Sequence, residues 1–221
     1  MPGRGYQALV FDFDYTLGDA TEGIVLAMNH ALTGSGNPPA EREAIRRTVG
    51  MSLSEAFRTL TGLSDAERTQ RFLALFREKG DEVMTPNTVL YEGTAPLLRR
   101  LHAAGVRTGI VTTKFRYRIA EILRKFDIEP LVDTVVGGED VSRPKPDPEG
   151  IRTAAAALGV SLGHVLYIGD SVIDAQTASA AGVDFIGVTT GTTGRDALAA
   201  YPALEIFDRL DRLGGWLYGD S

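Results

Sequence analysis

The sequence predicts an α/β protein: a parallel sheet of five or six strands covered by helices, with a helical domain inserted after the first strand. Three observations carry this. Short apolar runs recur without polar alternation, segments of helical spacing separate them, and one long interval holds helical patterns only. Strands buried on both faces of a parallel sheet read as such runs, and their alternation with helices reads as βαβ units.

In chain order, Ala8-Leu9-Val10-Phe11 is the first strand. Further strands are expected at Thr108 to Val111, Val132 to Val136, Val165 to Ile168 and Phe185 to Val188. Between them, Ile119, Ile122, Leu123 and Phe126 follow the i, i+3, i+4, i+7 spacing of a helix face, as do Ile151, Ala154, Ala155 and Leu158. Asp147-Pro148 reads as an N-cap followed by proline at the first helical position. Leu210, Leu213, Trp216 and Leu217 belong to a final helix.

The interval from Gly18 to about Pro86 shows no strand. Ile24, Met28 and Leu32 form one helix face there, and Phe72 with Phe76 belongs to another. Ser52-Leu53-Ser54-Glu55 and Ser64-Asp65-Ala66-Glu67 both have the capping-box spacing. Gly34 to Pro39 reads as a loop between helices. A parallel crossover needs only about a dozen residues, so an insert this long is expected to fold as its own subdomain. The expected division is a core of residues 1–17 and 87–221 and an inserted domain of residues 18–86. Leaving from the carboxyl end of a strand, where open α/β sheets bind ligands, the insert is expected to act as a lid.

Composition narrows the function classes. The 221 residues are 43% hydrophobic and 8% aromatic, as in a folded globular chain. There are no cysteines, which excludes disulfides and thiolate metal sites and makes a reducing cytoplasm the expected address. Residues 1–5, Met-Pro-Gly-Arg-Gly, form a polar lead-in without a signal-peptide apolar region. A formal charge of −6 argues against non-specific binding to nucleic acid or an anionic membrane. It leaves a small phosphorylated substrate open, because a few local cations dominate one pocket.

The chemistry lies at the strand ends. Asp12 and Asp14 are two residues apart in extended backbone, so both carboxylates face one spot. Alone, the pair reads either as solvated turn aspartates or as a catalytic dyad. A second pair, Asp170 and Asp174, follows the strand ending at Ile168 and lies one turn apart if a helix opens at Ser171. Alone it is an ordinary acidic N-terminal turn. Together, carboxylates at the ends of two parallel strands converge on one crevice, and oxygen-only ligands suit Mg²⁺. Thr112 follows the strand ending at Val111, and Lys145 sits between Pro144 and Pro146. A hydroxyl, nearby backbone N–H groups and a fixed ammonium are what an anionic substrate needs.

In this order and on these elements, the residues resemble the haloacid dehalogenase superfamily of hydrolases over essentially the whole chain. Asp12-Phe13-Asp14-Tyr15-Thr16 resembles its first motif, Thr112 its second, Lys145 its third, and Gly169-Asp170 to Asp174 its fourth. The insert resembles the helical C1 cap of the phosphoglycolate phosphatase-like and pyrophosphatase-like branch. Thr48 to Glu55, with Gly50, resembles that cap's substrate-facing loop. The resemblance implies a Rossmann-like three-layer core and an Mg²⁺-dependent phosphatase acting on a small phosphorylated metabolite through an aspartyl-phosphate. It assigns Asp12 as nucleophile and Asp14 as acid and base. Thr112, Thr113 and Lys145 would hold the phosphoryl group. Mg²⁺ would be held by Asp12, the Asp14 backbone carbonyl and Asp170, with Asp174 orienting Lys145 or a metal-bound water.

One position departs from the pattern. The phosphatases usually carry glycine after the second aspartate, and Tyr15 stands there. It is expected to pack under the cap, narrow the site or stack on a substrate. Among rivals on the same scaffold, a dehalogenase needs neither Asp14 nor the metal, and a phosphonatase uses a cap lysine, of which Lys79 is the sole example. A β-phosphoglucomutase-like phosphotransferase carries a histidine near the start of its cap, and Ala20 to Ile24 lacks one. A non-catalytic phosphate-binding module is the alternative of a different class. Monomer and homodimer are both compatible with the sequence.

Overall fold

The computed structural model describes residues 5–219; residues 1–4 of the polar lead-in, and residues 220–221, lie outside them. The chain divides into two compact units, Ala20–Val89 and the remainder.

The elements run in the order β1 (Ala8–Phe11), β2 (Gly18–Asp19), α1 (Thr21–Gly34), α2 (Arg42–Arg46), α3 (Leu53–Thr61), α4 (Ala66–Val83) and β3 (Val89–Leu90). They continue with α5 (Thr94–Ala103), β4 (Arg107–Val111), α6 (Arg116–Lys125), β5 (Thr134–Val136) and α7 (Glu149–Leu158). The last are β6 (Val165–Gly169), α8 (Val172–Ala181), β7 (Asp184–Val188), α9 (Arg195–Ala199), β8 (Glu205–Phe207) and α10 (Asp211–Tyr218).

Among the described residues the main sheet has six parallel strands in the order β5-β4-β1-β6-β7-β8. The sixth is β8, too short and too polar at Glu205 to stand out as an apolar run. Alternate residues of β1 serve opposite faces, as the period of two requires. Leu9 and Phe11 pack with Leu97, Leu98 and Leu101 of α5, Ile119 and Ile122 of α6, and Leu213 and Leu217 of α10. Ala8 and Val10 pack with Ile151 and Ala154 of α7, Ala175 and Ala178 of α8, and Leu198 of α9. The result is a three-layer α/β core.

The second unit is helical. Ile24, Met28 and Leu32 of α1 are buried with Phe57, Phe72 and Phe76, and the Phe57 and Phe72 rings lie 5.0 Å apart. Ser52 closes the expected capping box with Glu55.

Several local expectations shift. Residues Gly18 and Asp19 form the short strand β2, in the interval expected to hold none. Asp65, rather than Ser64, caps α4, accepting from the Arg68 N–H at 2.7 Å. Standing directly before Ala66, Asp65 brings its carboxylate to the free N–H of the third helical residue. Strand β5 starts at Thr134, because a 3₁₀ turn at Glu129–Leu131 occupies the chain just before Val132. At α7 the cap position is Pro148, while Asp147 accepts from the Glu149 N–H at 2.9 Å. No helix among the described residues is long and apolar enough to cross a membrane.

Candidate active site

The carboxyl ends of β1, β4 and β6, three adjacent strands, place the polar residues side by side. Asp12, one residue past β1, is held by its N–H to the Ile168 carbonyl at 2.9 Å. Asp170 is one residue past β6, and Thr112 one residue past β4. All three are buried, as are Asp14, Lys114 and Asp174. Desolvating so many ionisable groups is costly, so each partner matters.

Lys145 reaches in from the loop between β5 and α7, where the Lys145–Pro146 peptide is cis. Its ammonium lies 2.9 Å from Asp12 Oδ1 and 2.8 Å from Asp174 Oδ1. Burial alone would lower this ammonium, but the carboxylates of Asp12 and Asp174 more than offset that and hold it well above its ordinary value. Burial pushes the Asp12 carboxyl up to about 7, against the pull of Lys145. Asp170 is likewise raised well above the ordinary carboxylate range, by burial first and by Asp174 and Asp12 next.

Asp174 is fully occupied. Its Oδ1 accepts from Lys145 and from the Tyr167 hydroxyl at 3.0 Å, and its Oδ2 accepts from the Ser171 hydroxyl at 2.5 Å and from the Ser171 N–H at 3.2 Å. Ser171 returns the contact by capping α8 in a capping box with Asp174. The Gly169 backbone runs so close that a Cβ there would lie 2.4 Å from Asp174 Cβ, which accounts for glycine in that motif.

Two residues of the site escaped the sequence reading. Lys114 donates from its ammonium to Asp14 Oδ2 at 2.6 Å, with both side chains more than nine-tenths buried. Its backbone N–H also holds the Thr112 hydroxyl at 3.2 Å. Gly191, in the loop after β7, lets the backbone pass beside the Asp170 carboxylate. The signals were a lysine two positions after the strand-end threonine and a glycine amid Thr189, Thr190, Thr192 and Thr193.

Tyr15 is buried with φ 59°, the left-handed region that glycine favours. Its N–H donates to the Gly18 carbonyl at 2.8 Å, and its own carbonyl accepts from the Thr190 hydroxyl. Thr113 is half-buried beside Thr112. Gly50 lies in the second unit, with φ 92° in the turn before α3.

The donor set fits a hard divalent cation. One oxygen of each of Asp12, Asp170 and Asp174 lies within 4.8 Å of the others. Asp174 has both oxygens committed, whereas Asp12 Oδ2 and the Asp170 carboxylate have no hydrogen-bond partner among the described residues. Four buried carboxylates, Asp12, Asp14, Asp170 and Asp174, face two buried ammonium groups, Lys114 and Lys145. The carboxylates outnumber the ammonium groups, and oxygen donors of this kind suit Mg²⁺.

Comparisons with known proteins agree on the kind of chain this is. A family model described as haloacid dehalogenase-like hydrolase matches residues 9–188. A phosphoglycolate phosphatase of Rhodospirillum rubrum is 33% identical over 220 residues, covering 96% of this chain and 90% of that protein. The pyrophosphatase PpaX of Bacillus velezensis is 32% identical, covering 96% of this chain and 97% of that one. A solved structure of a haloacid dehalogenase-like hydrolase from Bacteroides fragilis superposes with a TM-score of 0.91 at 42% identity, covering 94% of this chain and 99% of that one.

Proposed function

Because the chain belongs to the haloacid dehalogenase-like hydrolases, we propose that it is an Mg²⁺-dependent phosphatase cleaving a small phosphorylated metabolite through a phosphoaspartate on Asp12. The observation that carries this reading is Asp12 itself. One of its oxygens is fixed by Lys145 at 2.9 Å, and the other has no protein partner among the described residues.

Asp12 attacks phosphorus, and the bond from phosphorus to the leaving oxygen breaks. Asp14 gives a proton to that oxygen, then takes one from the water that attacks the phosphoaspartate. The bond from phosphorus to Asp12 breaks, releasing phosphate and restoring the carboxylate. Asp14 Oδ2 is held by Lys114, so the buried and unpartnered Oδ1 is the atom left for this proton traffic. Lys145, the Thr112 hydroxyl and the Thr113 backbone hold the transferring oxygens as charge redistributes over them. Asp12, Asp170 and the Asp14 carbonyl would hold Mg²⁺, which when bound neutralises charge on the phosphoryl oxygens. Asp174 keeps Lys145 in place from the far side.

The names of the relatives motivate the substrate class: phosphoglycolate-like monoesters or pyrophosphate. The test is hydrolysis of p-nitrophenyl phosphate and a metabolite-phosphate panel with and without Mg²⁺. Asp12→Asn should abolish turnover, and survival of hydrolysis in that variant would remove the covalent route.

A further inference from the structure

The Lys114 ammonium has three N–H groups, yet among the described residues it meets one acceptor, Asp14 Oδ2 at 2.6 Å. Its side chain is 7% exposed, so bulk water has little access to the other two. Beside it, Asp14 Oδ1 is buried and also without a partner. Buried donors and acceptors of this strength are nearly always paired, so these atoms are suited to a group that arrives from outside. The donors are cationic, so that group carries negative charge. Asp14 is the residue assigned to the leaving oxygen. An anion bridging to Lys114 would therefore belong to the leaving group, while Lys145 serves the transferring phosphoryl group.

Resting on the phosphatase reading above, we propose that Lys114 determines specificity. It pins Asp14 with one N–H and binds, with the others, a second anionic group on the leaving group next to the bond that breaks. Lys114 comes from β4's end and Lys145 from the loop after β5, so two ammonium groups flank the carboxylates from separate elements. A carboxylate and a phosphate both offer the required oxygens. A neutral alcohol does not.

Phosphoglycolate and 2-hydroxyethyl phosphate differ in whether a carboxylate or a neutral hydroxymethyl group sits beside the ester carbon, and in pyrophosphate a phosphate is bonded directly to the leaving oxygen. Wild type should favour phosphoglycolate, pyrophosphate or both over 2-hydroxyethyl phosphate in kcat/KM. Lys114→Met should reduce that preference by about ten- to a hundredfold, the effect of losing one charge-assisted contact, and Lys114→Arg should keep much of it. Which anionic substrate loses more tells carboxylate from phosphate. Equal losses on charged and neutral substrates would mean that Lys114 acts on Asp14 alone, and would overturn the proposal. A second arm does not depend on turnover: calorimetric binding of phosphoglycolate and 2-hydroxyethyl phosphate to Asp12→Asn, with and without Lys114→Met. A binding preference there that vanishes with Lys114 supports the proposal even if hydrolysis fails. Equal binding of both ligands by Asp12→Asn refutes it even if hydrolysis succeeds.

Discussion

The backbone of Gly191 passes Asp170 so closely that a Cβ on it would lie 1.9 Å from Asp170 Oδ2 and 3.1 Å from Tyr15 Cβ. The loop after β7 therefore sets where one carboxylate of the acidic cluster can stand. No side chain, however small, fits without moving Asp170.

Gly191→Ala should weaken Mg²⁺ binding by about 10–100-fold, the usual effect of disturbing what orients a ligand. The measurement is the Mg²⁺ concentration giving half-maximal hydrolysis, with calorimetric Mg²⁺ binding as a check. An unchanged requirement would mean that Asp170 does not hold the metal.

Asp170→Asn and Asp174→Asn should separate by readout. Asp174 already accepts four hydrogen bonds, so losing its charge should lower kcat at least about tenfold, by loosening Lys145, and leave the Mg²⁺ requirement nearly intact. Asp170→Asn should raise that requirement steeply. Equal rises in both variants would make Asp174 a direct ligand.

The metal-free protein should gain stability when Asp12 is neutralised, by an amount set by pH. Burial first, with Lys145 opposing it, leaves Asp12 at about 7, above its ordinary value near 3.8. The folded state thus prefers the protonated acid, and that preference is fully present at low pH and lost as pH rises through about 7. In EDTA, Asp12→Asn should raise Tm relative to wild type by an amount that grows from pH 4 to pH 7 and then levels off. A gain independent of pH would contradict this account. Added Mg²⁺ should reverse the order, because it stabilises the wild type by binding it.

Tyr15→Gly should destabilise the fold although it relieves a left-handed residue. The backbone relief is about 1–2 kcal/mol, while emptying a buried aromatic site costs roughly 3–5 kcal/mol. A net loss of about 2 kcal/mol in urea unfolding is expected. A stabilised variant would show that Tyr15 is held in place at the expense of the fold.

Much of this was legible in the sequence because it rests on short-range rules. Apolar runs locate β1, β4, β6 and β7, and Asp12 and Asp14 follow the first of them at the strand end where open α/β sheets bind ligands. Lys145 stood out because prolines flank it. Lys114 did not, because it resembles any solvated lysine until the sheet brings it to Asp14, 100 positions earlier. Gly191 was hidden for the same reason, since its requirement comes from a carboxylate on another loop. The capping serine of α8 was foreseeable, whereas the choice of Asp65 over Ser64 turns on where the backbone first becomes helical.

The sheet order carries a consequence for how the protein matures. Of its six strands, β1 is translated first, yet its neighbours are β4 and β6. Asp12 therefore leaves the ribosome early and waits for Lys145, Asp170 and Asp174. Until roughly the end of α8 has emerged, β1 lacks one of its two partners and the acidic cluster lacks half of its members. Contacts this distant in sequence form late and slowly. The acidic cluster is thus incomplete in a nascent chain until β6 and α8 have been made.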